Sequence, residues 1–221
     1  MKAMILAAGK GTRLAPLTEK IPKPMIPISS EPLIVHQIRW LKRAGIVDIV
    51  VNLHHLGDQI RTYVGTGRPY GVNITYSVEE DLLETGGGIV KALPQLGSDE
   101  FVLLNGDVWT GYRFERTVVD EAATMHLILV PKPDHREYGD VDLNGNKVLR
   151  RANSASNPWV YSGMAFLKPE IFEGETIRPF SIREILFREI AAERVTGEVY
   201  EGVWYDIGTH DQLKRVRRLM L

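Results

Sequence analysis

There is no cysteine in this chain. Disulfides, thiolate metal centres and a cysteine nucleophile are therefore excluded. Long apolar runs are also missing. The opening run from Ala3 is broken by Gly9, Lys10 and Arg13, too soon for a membrane span or a secretion signal. An excess of either charge is missing too: 27 Lys and Arg nearly balance 28 Asp and Glu, and with a formal net charge of −1 no global field draws the chain to nucleic acid or an anionic membrane. No Gly-x-x-x-x-Gly-Lys-Ser/Thr string is present, which excludes a P-loop. No repeat, low-complexity tract or linker interrupts the chain. What remains is 221 residues, 44% hydrophobic and 25% charged, the composition of one ordinary globular domain. A cytoplasmic protein is expected.

Apolar runs alternate with helical patterns through the first half. Strands are expected over Ala3–Ala7, Asp48–Leu53, Val72–Val78 and Phe101–Asn105. Helices are expected after Ser29 or Ser30 with Pro32, over Leu56–Val64 and over Gly88–Leu93. This rhythm predicts a Rossmann-like, mostly parallel mixed sheet with helices on both faces, in one α/β domain. After Asp107 the pattern shifts. A helix is expected over Phe114–Ala123 and strands over Met125–Val130, Trp159–Leu167 and Glu198–Ile207. Asn144-Gly145 signals a hairpin between Asp140–Leu143 and Lys147–Arg151. Capping-box spacing at Ser181 and Thr209 opens two further helices.

The most informative stretch is Leu6-Ala7-Ala8-Gly9-Lys10-Gly11-Thr12-Arg13-Leu14, followed by Pro22-Lys23-Pro24. A buried strand runs into a glycine loop, whose N–H groups can approach an anion unhindered by Cβ atoms. Arg13 offers a bidentate donor, and Lys23 a point charge from an extended Lys-Pro segment. Leu14 stands where a dinucleotide fingerprint needs its third glycine, so that motif is set aside. A polyphosphate loop and a plain glycine turn with solvated cations both fit these residues.

Two carboxylates end apolar strands: Asp107 after Leu103-Leu104-Asn105-Gly106, and Asp206 after Trp204-Tyr205. Ligands of open α/β sheets sit at such ends. A pair of carboxylates there suits Mg²⁺, and the same residues also suit a turn opener and a helix cap. Leu83-Glu84-Thr85-Gly86-Gly87-Gly88 reads either as a backbone platform for a flat base or as a flexible turn. His54 and His55 are adjacent on a strand end and point oppositely, so they cannot chelate one ion; all six histidines read as structural or rim residues.

These motifs together resemble the signature of the sugar-1-phosphate nucleotidyltransferases, across nearly the whole chain. The glycine loop, Pro-Lys-Pro, Asn105-Gly106-Asp107 and Trp204-Tyr205-Asp206-Ile207-Gly208-Thr209 carry it. The resemblance implies nucleotide binding at Ala8, Gly9, Gly11, Thr12, Arg13, Lys23, Glu79, Glu84, Thr85, Gly86 and Asn105. It implies catalytic roles for Arg13, Lys23 and Asp107, and Mg²⁺ on Asp107 and Asp206. Sugar phosphate is expected at Gly139, Asp140, Arg151, Asn153, Ser162 and Gly163. Residues 1–110 would then bind nucleotide, and residues 111–221 the sugar, with the second metal ligand.

The chain departs from the family pattern at Leu149-Arg150-Arg151-Ala152, where relatives carry Glu-Lys-Pro; Arg150 and Arg151 read as substitutes for that lysine or as surface charges. Within the family the chain is most similar to the branch that joins UTP to N-acetylmuramate 1-phosphate in cell-wall recycling. Mannose and heptose guanylyltransferases, other uridylyl- or cytidylyltransferases and an inactive nucleotide-sugar sensor are the alternatives. The implied partners are a nucleoside triphosphate and a sugar 1-phosphate, in a monomer or homodimer. No β-helix follows the catalytic motifs, so acetyltransferase activity is not expected.

Overall fold

A computed structural model of the chain describes residues 1–114, 120–134, 136–150 and 157–219. The strands are β1 (Lys2–Leu6), β2 (Pro27–Ile28), β3 (Glu31–Pro32), β4 (Asp48–Leu53), β5 (Asn73–Val78), β6 (Phe101–Asn105), β7 (Val108–Thr110), β8 (Met125–Pro131), β9 (Asp142–Asn144), β10 (Lys147–Leu149), β11 (Trp159–Leu167), β12 (Val195–Val199) and β13 (Trp204–Asp206). The helices are α1 (Leu33–Arg43), α2 (Gly57–Val64), α3 (Glu84–Leu96), α4 (Arg183–Ala191) and α5 (His210–Leu219). Nine strands form one sheet in the order β5-β4-β1-β6-β11-β8-β12-β10-β9. Only β11 and β10 run against the other strands of this sheet, so it is the expected mixed, mostly parallel one. No described helix is long and apolar enough to cross a membrane.

Alternation along the strands sorts the core to the two faces. Phe101 and Leu103 of β6 face α3 and α4, beside Ile89 and Ile185. Val102 and Leu104 face α1 and α2, beside Ile38 and Ile60. A third, smaller core of Leu14, Ile26, Trp109, Ile207, Leu213 and Val216 lies against α5.

The chain builds outward from β1 to β4 and β5, then returns to β1's other side as β6. That reversal makes β1 the switch point, where open α/β sheets take their ligands. Leu6 at the end of β1 is in register with Asn52 of β4 and Asn105 of β6. Two polar residues thus flank the point where the glycine loop leaves the sheet.

Several expectations are corrected. Ser29 and Ser30 turn the β2–β3 hairpin, and Pro32 itself precedes α1 without a side-chain cap. The strand expected over Glu198–Ile207 is two strands in different sheets, β12 and β13. The chain bends between them at Gly202, where a Cβ would stand 2.2 Å from the Tyr200 hydroxyl. The helix expected from Gly88 begins at Glu84, so the glycine run is its first turn rather than a loop before it. The helix expected over Phe114–Ala123 falls in part outside the described residues, and Asp120–Ala123 forms a turn.

Gln37 is buried within the apolar stripe of α1. Its amide donates to the carbonyls of Asn105 (2.9 Å) and Val108 (3.0 Å) and so braces the turn carrying Asp107 from both sides. Gln37→Ala leaves both carbonyls unpaired and should lower unfolding free energy by about 2–4 kcal/mol. Urea denaturation measures this; a midpoint unchanged from wild type would contradict the brace.

Candidate active site

A cleft of about 340 Å³ opens at the carboxyl end of β1. Of the expected nucleotide residues it collects Ala8, Gly9, Gly11, Lys23, Glu84, Thr85 and Asn105, but not Thr12 or Arg13, and of the expected metal ligands it collects Asp107. The loop is fixed at its root. The Ala7 N–H donates to Asn52 Oδ1 (2.7 Å), Asn52 Nδ2 donates to Glu79 Oε1 (2.7 Å), and the Leu83 N–H donates to Glu79 Oε2 (3.0 Å). This buried bridge joins β1, β4 and the start of α3. Glu79 therefore stands behind the cleft with both oxygens used, rather than facing a base. Gly11 turns the loop in the left-handed region (φ 64°), and its carbonyl accepts from the Leu14 N–H and the Thr18 hydroxyl. Thr12 opens the one-turn 3₁₀ helix that follows.

The glycines at the start of α3 have a packing role. A Cβ on Gly86 would stand 2.3 Å from the Phe180 ring, and one on Gly87 2.0 Å from the Arg178 carbonyl. One on Gly88 would meet Glu79 Oε1 at 2.7 Å. Gly86 does not line the cleft, while Glu84 and Thr85 do, together with Ser181. The Thr85 hydroxyl accepts from the Ile182 N–H (2.9 Å).

Lys23 opens a 3₁₀ turn rather than an extended segment, since Pro24 needs no N–H partner in a first turn. Its ammonium contacts Asp107 Oδ2 at 2.5 Å. Asp206 does not line this cleft; it lines a second cavity of about 630 Å³ with Lys132, Trp204 and Gln212, and is tied to Asp107 through the backbone. β13 pairs antiparallel with β7, setting Asp206 opposite Val108, and the Ile207 N–H donates to the Asp107 carbonyl (2.8 Å). Asp206 Oδ1 accepts from Gln212 Nε2 (2.6 Å), and Arg136 Nη2 lies 3.8 Å from Oδ2. Both aspartates thus already face a cation, Lys23 or Arg136, and their oxygens fit the preference of a hard divalent ion. Among the described residues no group of three or more histidine, aspartate or glutamate side chains converges on one point. Arg13 rests on the backbone just after Asp206: a Cβ on Gly208 would stand 2.8 Å from its guanidinium.

The expected sugar residues are less unified. Gly139 packs under β11, where a Cβ would stand 2.2 Å from the Asn157 carbonyl. Ser162 is buried, its hydroxyl donating to the Ile128 carbonyl (2.6 Å), so it stabilises a bulge instead of facing a ligand. Gly163 (φ 82°) makes room for Asn105, whose amide would stand 2.7 Å from a Cβ there. Asp140 accepts from the Tyr161 N–H (3.1 Å), from Arg183 Nη2 (2.5 Å) and from Arg136 Nη1 (3.4 Å). Burial pushes the Tyr161 phenol up, which keeps it neutral and unsuited as a base near pH 7. Arg150 stacks on Phe187, 4.0 Å from its ring centre. Arg151 and Asn153 lie outside the described residues.

A profile of the nucleotidyl transferase family matches residues 2–221. The chain belongs to the nucleotidyl transferase family. It is a sugar-1-phosphate nucleotidyltransferase. An N-acetylmuramate alpha-1-phosphate uridylyltransferase of Neisseria meningitidis is 40% identical to this nucleotidyltransferase over 99% of this chain and 98% of its own length. A D-glycero-alpha-D-manno-heptose 1-phosphate guanylyltransferase of Aneurinibacillus thermoaerophilus is 30% identical over 99% and 97%. The solved structure of a putative glucose-1-phosphate thymidylyltransferase from Bacillus anthracis shares the fold, with a TM-score of 0.85, 23% identity and coverage of 99% and 94%.

Sequence reasoning missed Asn52, Gln37, Arg136 and Arg183. For two of them the signal was present: Asn52 interrupts the apolar run Ile49-Val50-Val51, and Gln37 sits between Ile34 and Ile38 at core spacing. Gly208→Ala in the nucleotidyltransferase should displace the Arg13 side chain without straining the fold. The KM for nucleoside triphosphate should rise roughly tenfold, the scale of one charge-assisted hydrogen bond, with the urea midpoint unchanged. An unaltered KM would remove Arg13 from the triphosphate site.

Proposed function

We propose that the nucleotidyltransferase joins UTP to N-acetylmuramate 1-phosphate, giving UDP-N-acetylmuramate and pyrophosphate, in peptidoglycan recycling in the cytoplasm. The observation that carries the choice of base and sugar is the 40% identity, over nearly the whole of both chains, to a uridylyltransferase of that name. A guanylyltransferase acting on a heptose or mannose phosphate is the second reading, supported by the 30% identity over similar coverage.

The chemistry follows from the site. The acceptor's phosphate oxygen is already ionised at neutral pH, so attack needs no protein base. That oxygen forms a bond to the α-phosphorus, and the bond from phosphorus to the α,β-bridging oxygen breaks, sending its electron pair out with pyrophosphate. Alignment and charge compensation are the tasks left to the protein. Residues 1–110 hold the triphosphate and residues 111–221 present the acceptor. The loop N–H groups around Gly9 and Gly11, with Thr12 and Arg13, hold the leaving phosphates. Glu84, Thr85 and Asn105, which line the cleft, take the base in this reading. Lys23 leaves Asp107 to face charge developing at the α-phosphorus. Asp107 and Asp206 would hold Mg²⁺, which when bound supplies Lewis-acid charge neutralisation between the two phosphate groups. Gly139 and Asp140 serve the acceptor half by fixing the backbone and arginines beside Asp206.

Pyrophosphate release, measured with four nucleoside triphosphates against a panel of sugar 1-phosphates and phosphocholine, tests the assignment. Turnover confined to UTP with N-acetylmuramate 1-phosphate is expected. Preference for GTP would move the protein to the second reading, and binding without release would make it a sensor. In the productive pair, Asp107→Asn should cut kcat roughly 100-fold, the scale of a lost preorganised electrostatic contact. Near-wild-type turnover would sink the metal role of Asp107.

A further inference from the structure

Nucleotidyl transfer brings two anions together, a triphosphate and a sugar phosphate. Coulomb repulsion at phosphate–phosphate distances must be offset by cations on both sides. The triphosphate side has Arg13 and Lys23. On the acceptor side the lysine that family members carry is absent, and Arg150 stacks on Phe187. Another cation already sits between the relevant carboxylates. Arg136 reaches Asp140 Oδ2 at 3.4 Å with one nitrogen and Asp206 Oδ2 at 3.8 Å with another. Its side chain is 35% exposed, which leaves it open to a ligand.

Its backbone is fixed for this position. The Arg136 N–H donates to the Pro133 carbonyl (2.9 Å), and Lys132 Nζ donates to the Arg136 carbonyl (2.8 Å). Asp140 has other partners: Arg183 at 2.5 Å and the Tyr161 N–H. Arg183 compensates the Asp140 charge, so Arg136 can turn to a new anion without stranding that carboxylate. Both Arg136 contacts exceed the 2.7–2.9 Å of a tight charge-assisted hydrogen bond, so the guanidinium is held without being saturated.

We infer that Arg136 is the residue that binds the acceptor's phosphate, with Arg183 as a positioning residue that neutralises Asp140 and frees Arg136 for the task. The inference rests on the sugar-phosphate transfer proposed above. A planar guanidinium fits two oxygens of a phosphate monoester and leaves the third oxygen free to attack.

Steady-state kinetics separate this role from a structural one. In Arg136→Ala the KM for N-acetylmuramate 1-phosphate should rise about 10- to 100-fold, the range for one lost charged hydrogen-bonding pair, while the KM for UTP moves less than threefold. Arg136→Lys should recover part of the loss, since it restores the charge without the fork. Isothermal titration with N-acetylmuramate 1-phosphate should show the same loss of affinity, and Arg136→Gln replaces Arg136→Ala should the alanine variant unfold. Equal rises in both KM values, or an acceptor KM unchanged from wild type, would overturn the assignment. If the wild type transfers instead to another sugar 1-phosphate, the same split with that acceptor upholds Arg136 and rejects only the choice of sugar. No turnover by the wild type with any acceptor would overturn both.

Discussion

A ribbon of two three-residue strands brings Asp107 and Asp206 together from opposite ends of the second half of the chain. β7 follows directly from Asp107, and β13 ends in Asp206, so their antiparallel pairing carries a carboxylate from the last part of the chain to one at the end of β6. The ribbon is short and cannot hold itself. Trp109 and Ile207 pack with Leu213 and Val216 of α5 in the third core. Trp204 Nε1 donates to the Ser162 carbonyl (2.9 Å), which ties the ribbon to the bulge of β11. Gln37 secures the other side from α1. The placement of Asp107 beside Asp206 is thus a by-product of packing at Gln37, Trp109, Trp204 and Ile207.

Around that rim the protein distributes charge rather than reactivity. Lys23 lies against Asp107 and Arg136 against Asp206 and Asp140, so each carboxylate has a compensating cation in the ligand-free molecule. The exposed rim avoids bare like charges that would repel one another. The same cations then suit an encounter with two phosphate groups. Among the described residues Thr196 Oγ1, His126 and Glu198 do form a hydroxyl–imidazole–carboxylate array, with Thr196 2.9 Å from Nδ1 and Glu198 3.6 Å from Nε2, but none of the three lines the cleft, and no histidine does.

Much of this was legible in the sequence. The unbroken apolar runs Phe101–Leu104 and Ile49–Val51 mark strands buried on both faces, because side chains of a strand face opposite sides and here both are apolar. Gly9 and Gly11 after β1, and Asp107 after β6, mark the cleft because open sheets expose those ends, whereas Asp206 ends β13 of the separate ribbon. The illegible parts depend on contacts between residues far apart in the chain. Gly86 and Gly87 look like a platform for a base, yet Phe180 and the Arg178 carbonyl are what require them to be small. Ser162 looks like a ligand residue until the Ile128 carbonyl takes its hydroxyl. The break between β12 and β13 lies within a run that reads as one strand, because the fold of the Tyr200 side chain over Gly202, which leaves no room for a Cβ there, is invisible to periodicity. Arg136 carries no local signal; only the fold sets it between two aspartates.

In the proposed reaction the protein aligns two phosphate groups for one direct displacement and forms no bond to the nucleotide itself. Configuration at phosphorus tests it, with a nucleoside triphosphate carrying sulfur on the α-phosphorus in one known configuration. A single in-line displacement inverts that centre, whereas passage through an enzyme-bound nucleotide inverts it twice. The nucleotide sugar formed should show inversion; retention of configuration would contradict the account.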